Sequence, residues 1–158
     1  MSRFELIDKH QELRTNLNTG LLISPDVGSN KQTAELAKYF NHERFVRADK
    51  LRNLSTGEII ETIVYGDVSG KTVTIPDDIC VGGRTFTELA KVLKTKGAAK
   101  INLFITHGIF SNGVKTLFDN GIDKVFTTNT YRTSIPNDAN ENFLQVDVIP
   151  YLLDKLVH

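Results

Sequence analysis

Residues 72–86 read "TVTIPDDICVGGRTF": an apolar run, a Pro, the adjacent carboxylates Asp77 and Asp78, the glycine pair Gly82 and Gly83, then Arg84 and Thr85. From Phe86 the pattern turns helical, with Phe86, Leu89, Ala90 and Leu93 on one stripe. That segment starts acidic at Glu88, ends basic at Lys91, Lys94 and Lys96, and stops at Gly97, as the helix dipole and glycine C-caps favour. A strand-like run, two acids, a glycine turn and a helix therefore follow one another directly.

The same alternation extends outward. Upstream, "LLISPD" (21–26) is a short apolar strand ending at Pro-Asp, and "NKQTAELAKYF" puts Thr33, Leu36, Ala37 and Phe40 on one helical face. "RFVRAD" (44–49) is the next strand, and "LSTGEIIETIVYGDVSG" reads as a loop followed by an edge strand or hairpin. Downstream come "INLFITH" (101–107), a short helix around Val114, Leu117 and Phe118, the strand "KVFTTNT" (124–130), "FLQVDV" and a last helix "IPYLLDKLV". "MSRFELIDKHQELRTN" reads as one helix with Phe4, Ile7 and Leu13 as its apolar contacts. Alternating β and α segments of these lengths predict a doubly wound α/β domain: a mainly parallel sheet with helices on both faces, one domain over 1–158.

Composition agrees with that reading and excludes several functions. A chain of 158 residues is long enough for one real core. Lys and Arg total 19 against 19 Asp and Glu, so no net field draws the chain to nucleic acid or a membrane surface. The single cysteine, Cys80, rules out a disulfide framework and fits a reducing, cytoplasmic setting. No apolar stretch reaches bilayer length, and the N-terminus lacks the apolar core of a signal peptide.

Ligands of such folds bind beyond the carboxyl ends of the strands. Three unusual segments fall there: "SPDVGSNK", "PDDICVGGRT" and "THGIFSNG". Gly82 and Gly83 let the backbone bring N–H groups close to an anion, the helix behind them points its positive end at the same place, and Arg84 and Thr85 add donors. Ionised Asp77 and Asp78 can accept from two neighbouring hydroxyls or hold hydrated Mg2+. A phosphate site beside a diol site describes a ribose 5-phosphate. The plain alternative is that each segment is an ordinary strand-ending turn, rich in Gly, Asp and Ser as turns are. By the same logic Lys50 and Arg52 are solvated surface, Asp26 ends a strand, and His107 is a hydrogen-bonded strand-end residue. His10, His42 and His158 read as surface residues and Cys80 as a small apolar filler.

"PDDICVGGRTF" resembles the ribose-phosphate loop of type I phosphoribosyltransferases. With "LLISPDVGSNKQTAELAKYF", "ADKLR", "YGDVSGKTVTIPDD", "FITHGIFSNG" and "VFTTNT" in order, residues 20 to 132 resemble the C-terminal half of phosphoribosyl pyrophosphate (PRPP) synthetases, the ribose-phosphate diphosphokinases. The resemblance implies transfer of a diphosphate from Mg·ATP to the anomeric hydroxyl of ribose 5-phosphate. It implies that Asp77, Asp78, Gly82, Gly83, Arg84 and Thr85 hold the sugar phosphate. Lys50 and Arg52 match a mobile basic loop that stabilises the moving diphosphate, Asp26 a Mg2+-associated aspartate, and Ser111 a donor of a phosphate loop. Assembly as a homo-oligomer, or with a partner subunit, is implied as well.

The departures from the family pattern are specific. Its N-terminal half, with much of the ATP site, has no counterpart; Val81 stands where a third loop acid is common; Arg84 replaces a small residue. Two other functions share the loop. One is a phosphoribosyltransferase that consumes PRPP; the other is a non-catalytic regulatory subunit that binds ribose phosphate or nucleotide. A larger ribosyl acceptor such as ADP-ribose would also present the groups this loop recognises.

Overall fold

The computed structural model describes residues 2–157; His158 lies outside them. Seven strands form one sheet: β1 (Leu21–Ser24), β2 (Val46–Arg52), β3 (Ile59–Tyr65), β4 (Thr72–Cys80), β5 (Lys100–Gly108), β6 (Lys124–Thr128) and β7 (Phe143–Val146). Their order is β3-β2-β1-β4-β5-β6-β7, parallel throughout except for the antiparallel β2–β3 pair. The central strands carry near-continuous apolar runs because both of their faces are covered. In β5 every residue from Ile101 to Ile105 is buried. β3 has a partner on one side only and a largely exposed face, as the edge hairpin reading expects.

Helices α1 (Arg3–Asp8), α2 (Gln11–Thr19) and α3 (Asn30–Tyr39) cover one face. There Ile7, Leu13, Leu17, Leu36, Ala37 and Phe40 pack with Leu22, Phe104 and Phe126. Helices α4 (Arg84–Thr95) and α5 (Lys115–Asp119) cover the other face. Phe86, Leu89, Ala90, Leu93 and Leu117 meet Ile23, Val73, Ile75, Ile101 and Leu103 in the larger core. α6 (Ile149–Val157) ends the described chain and contains no buried residue. No helix among the described residues is long and apolar enough to cross a membrane.

Three local expectations are corrected. The N-terminal segment is two helices rather than one, broken at Lys9 and His10, where His10 is extended (φ −120°, ψ 94°). At about 100° per residue, a straight helix would turn Phe4 and Ile7 a quarter to half a turn away from Leu13 and Leu17. The break brings all four to one apolar cluster. Residues 50–52, expected as a loop, continue β2, with Lys50 opposite Thr62 and Leu51 opposite Glu61. His10 and His42 are half-buried rather than surface residues. His42 Nε2 lies 2.8 Å from the Leu17 carbonyl, and the His10 ring meets Tyr151 edge-on.

The chain runs from β1 outward to β2 and β3, then returns to β4 on the other side of β1. The switch point thus lies between β1 and β4, and the segments that follow these two strands open onto it.

Candidate functional site at the switch point

A cleft of about 380 Å3 opens at that point. Its floor is the turn Gly82–Gly83 and the first turn of α4. Gly83 has φ +84°, a left-handed conformation that favours glycine, and a Cβ there would stand 3.0 Å from Leu117 Cδ2. The Gly83 carbonyl accepts from the Phe86 and Thr87 N–H groups at 3.0 Å, which closes the first turn. The earlier N–H groups of α4 have no carbonyl partner within the helix, so this end of the cleft suits an anion. Arg84, Thr85 and Arg52 add polar lining, whereas Ile59, Ile79 and Val81 make an apolar wall. Arg52 Nη1 also donates to the Gly57 carbonyl at 2.9 Å.

Across the cleft stands a chain of four side chains. Lys50 Nζ donates to Asp26 Oδ2 at 2.8 Å and lies 3.3 Å from Thr85 Oγ1, tying β2 to the β1 turn and to α4. Asp26 caps the 3-10 turn Val27–Ser29, and its Oδ1 accepts from the Ser29 N–H and hydroxyl, each at 3.0 Å. The Ser29 hydroxyl is also 3.1 Å from Asp77 Oδ1, which in addition accepts from the Asp78 N–H at 2.8 Å. Burial works against the Asp26 charge, but Lys50 and the Ser29 donors outweigh it and hold the carboxyl below its usual range. At Asp77 burial wins over the donors of Asp78 and Ser29, and the pKa is raised, with the charges of Asp26 and Asp78 adding to the effect.

The two adjacent acids do not face the same way. β4 continues as strand to Cys80, so successive side chains alternate between the faces of the sheet. Asp77 lines the cleft with Ile79. Asp78 turns to the other helical layer, where Gln32 Nε2 donates to its Oδ2 and Arg3 Nη1 is 3.7 Å from its Oδ1. Arg3 Nη1 donates to Gln32 Oε1 at 2.8 Å, and the guanidinium lies 5.2 Å from the centre of the Phe104 ring. Burial lowers the Arg3 pKa against the attraction of Asp78, Asp77 and Glu35.

Of the residues named from sequence, the cleft gathers Asp26, Arg52, Asp77, Gly82, Gly83, Arg84 and Thr85, with Lys50 behind Asp26 and Asp78 outside. Ser111 does not line it. Its N–H and hydroxyl both donate to the Val81 carbonyl (2.8 and 3.1 Å), while Asn112 Nδ2 donates to the Gly82 carbonyl at 3.1 Å, so the 108–113 segment braces the glycine turn from outside. His107 is a hydrogen-bonded strand-end residue, its Nδ1 2.6 Å from Thr130 Oγ1. Cys80 is a buried filler whose thiol is pushed up to about 12 by burial and by the Asp77 charge. Sequence reasoning does not reach Ser29, Gln32 or Arg3. The spacing of Asp26 and Ser29, an acid capping a turn three residues on, is a readable signal for the first. Arg3 has none, because it meets a residue 75 positions away.

Among the described residues, no three His, Cys, Asp or Glu side chains gather as a metal cluster. The cleft nonetheless fits Mg2+ in one way. Asp26 offers a hard, partly exposed carboxylate, and this ion commonly takes one or two carboxylates and fills its remaining positions with phosphate oxygens and water.

The sequence profile of the phosphoribosyl synthetase-associated domain matches residues 34–155. The chain belongs to that family. This synthetase-associated domain is 37% identical over 105 residues to the ribose-phosphate pyrophosphokinase of Cereibacter sphaeroides, covering 66% of the chain and 31% of that relative. It superposes on the phosphoribosylpyrophosphate synthetase of Mycobacterium smegmatis with a TM-score of 0.80 at 22% identity, over 97% of the chain and 49% of that structure. The adenine phosphoribosyl transferase of Trypanosoma brucei follows at TM-score 0.53 and 15% identity, over 89% of the chain and 66% of that structure. The doubly wound sheet of this domain is thus the type I phosphoribosyltransferase fold. The chain spans less than half the length of the curated relatives it matches.

Proposed function

We propose that this domain binds ribose 5-phosphate and Mg·ATP for diphosphate transfer in a ribose-phosphate diphosphokinase, the step that makes PRPP for nucleotide synthesis. The observation that carries the reading is the meeting of Asp77 with the Gly82–Thr85 turn in one cleft at the β1/β4 switch point. The 5-phosphate takes the N–H groups and Arg84 at the start of α4, and the ribose hydroxyls donate to Asp77. Asp78, on the opposite face of β4, stays with Gln32 and Arg3 and flanks the site. In the reaction the anomeric oxygen attacks the β-phosphorus of ATP, the bond from that phosphorus to the bridging oxygen breaks, AMP leaves with that oxygen, and the hydroxyl proton passes to solvent. Lys50 and Arg52 supply positive charge for the moving diphosphate, Lys50 after exchanging its contact with Asp26. Mg2+ held at Asp26 would offset the negative charge of the polyphosphate. The setting is cytoplasmic, and nucleic acid and membrane are not partners. Assembly of copies, or with a partner subunit, is part of the same reading.

A second reading, binding without catalysis, is favoured by the closed Lys50–Asp26 ion pair and by Val81, half-exposed where an acid would serve as base or acceptor. Phosphorus NMR of the purified chain with Mg·ATP and ribose 5-phosphate separates the two. AMP together with an anomeric diphosphate establishes transfer. A shifted sugar-phosphate resonance with ATP intact establishes binding alone. Resonances unchanged throughout would overturn the site.

A further inference from the structure

Ser29 is buried, 4% exposed, and its hydroxyl lies between two carboxylates, 3.0 Å from Asp26 Oδ1 and 3.1 Å from Asp77 Oδ1. A hydroxyl has a single proton to donate. Both contacts are of hydrogen-bond length, yet only one can be a donated bond from Ser29 to an ionised carboxylate at any time. The backbone does not share this limit, because the Ser29 N–H serves Asp26 whichever way the hydroxyl turns. The other oxygen of Asp26 is taken by Lys50. The polar chain Lys50–Asp26–Ser29–Asp77 thus joins the carboxylate suited to a cation to the one that borders the sugar cleft.

We propose that Ser29 is a positioning residue that couples cation binding at Asp26 to ribose binding at Asp77. The inference rests on the ribose-phosphate reading of the cleft and adds to it a link between its two halves. A divalent cation that takes the place of Lys50 at Asp26 draws on the lone pairs of that carboxylate more strongly than the ammonium does, and the Ser29 proton then turns to Asp77. With its Oδ1 held by Ser29 and by the Asp78 N–H, Asp77 keeps its second oxygen oriented for a sugar hydroxyl. Without a cation, Ser29 is shared with Asp26 and Asp77 is less firmly held. Each ligand therefore favours the other, as reciprocal linkage demands.

The test is calorimetric titration of the full chain with ribose 5-phosphate, in EDTA and in MgCl2, without ATP. Mg2+ is expected to tighten wild-type binding by about fivefold or more, the lower end of ordinary coupling between sites. In S29A this factor falls to about one, whatever the affinity in EDTA, because the hydroxyl that links the two carboxylates is gone. S29T, which keeps the hydroxyl, restores the factor. A merely structural serine would lower both affinities and leave their ratio alone. Thermal melts identify a variant that has not folded; should S29A fail to fold, S29C, of similar size and with only a weak donor, replaces it and is expected to lose the factor in the same way. Equal Mg2+ factors in wild type and S29A, or a wild-type factor of one with clear sugar-phosphate binding, overturn the coupling and leave the site intact. Wild-type chain that binds no ribose 5-phosphate in either buffer overturns the site reading, and the coupling with it.

Discussion

A carboxylate that accepts hydrogen bonds from a sugar has to remain ionised where burial opposes its charge, and Asp77 is in that position. Its folded pKa is raised, so at neutral pH the ionised group destabilises the free protein, an effect relieved as pH falls toward that pKa. Asp77→Asn is therefore expected to melt above wild type at pH 7, with the difference shrinking in acid. The same variant is expected to bind ribose 5-phosphate at least ~10-fold more weakly, the scale of losing a hydrogen bond to a charged group. Asp78→Asn is expected to lose less, since its carboxylate faces Gln32 and Arg3. Calorimetry on the two single mutants checks this, and equal losses would show that both acids reach the ligand. Cys80 makes a simpler case. A buried thiol pushed up to about 12 is expected to resist iodoacetamide at pH 7.5 in the folded protein and react on denaturation. Its inert character was legible in the sequence, because no partner near it in the chain could make it a nucleophile. The opposed directions of Asp77 and Asp78 were not legible, because they depend on how far β4 continues.

At the scale of elements, the glycine turn and the β2 strand position the cleft. Gly83→Ala puts a Cβ into a left-handed conformation and against Leu117, at an expected cost of about 1–2 kcal/mol or more. Denaturant unfolding reads this directly, and an unchanged midpoint would show that the turn relaxes freely. Lys50 ties β2 to the β1 turn, and its side chain is only 10% exposed. Lys50→Ala is expected to destabilise the fold at pH 7 by about 1–3 kcal/mol, the range for losing a hydrogen bond to a charged partner. Asp26 has a lowered folded pKa, so this contribution is full above the ordinary carboxylate range and is lost as pH falls through the folded pKa. The gap between wild type and variant should close in acid; a gap independent of pH would mean that Lys50 acts by packing. The same variant should spare ribose 5-phosphate binding and slow any diphosphate transfer by at least ~10²-fold. Apolar periodicity locates α3, α4 and the central strands correctly. It ends the second strand at Asp49, because the charged side chains beyond hide a strand that is held by pairing with β3.

The whole molecule is a sheet that needs a cover on both faces, and one cover begins with α1 and α2. Leu13 and Leu17 are fully buried against Leu22, Phe104 and Phe126, so Leu13→Ala is expected to cost about 2–5 kcal/mol in a chemical melt. A loss well under that range would show that these helices contribute little to the core. The same layer carries Arg3 to Asp78, so the first helix reaches the edge of the ligand cleft as well as the core. By itself the sequence determined the alternation of strands and helices and the glycine turn before α4. These follow from side-chain periodicity and turn chemistry, which act over a few residues. Tertiary structure alone decided that Asp77 enters the cleft while Asp78 leaves it, since β4 is carried to Cys80 by its pairing with β5. It alone decided that Lys50 closes on Asp26 and that Ser29, the local partner of Asp26, also meets Asp77. Such contacts join residues tens of positions apart, and only the completed sheet brings them within a hydrogen bond of each other.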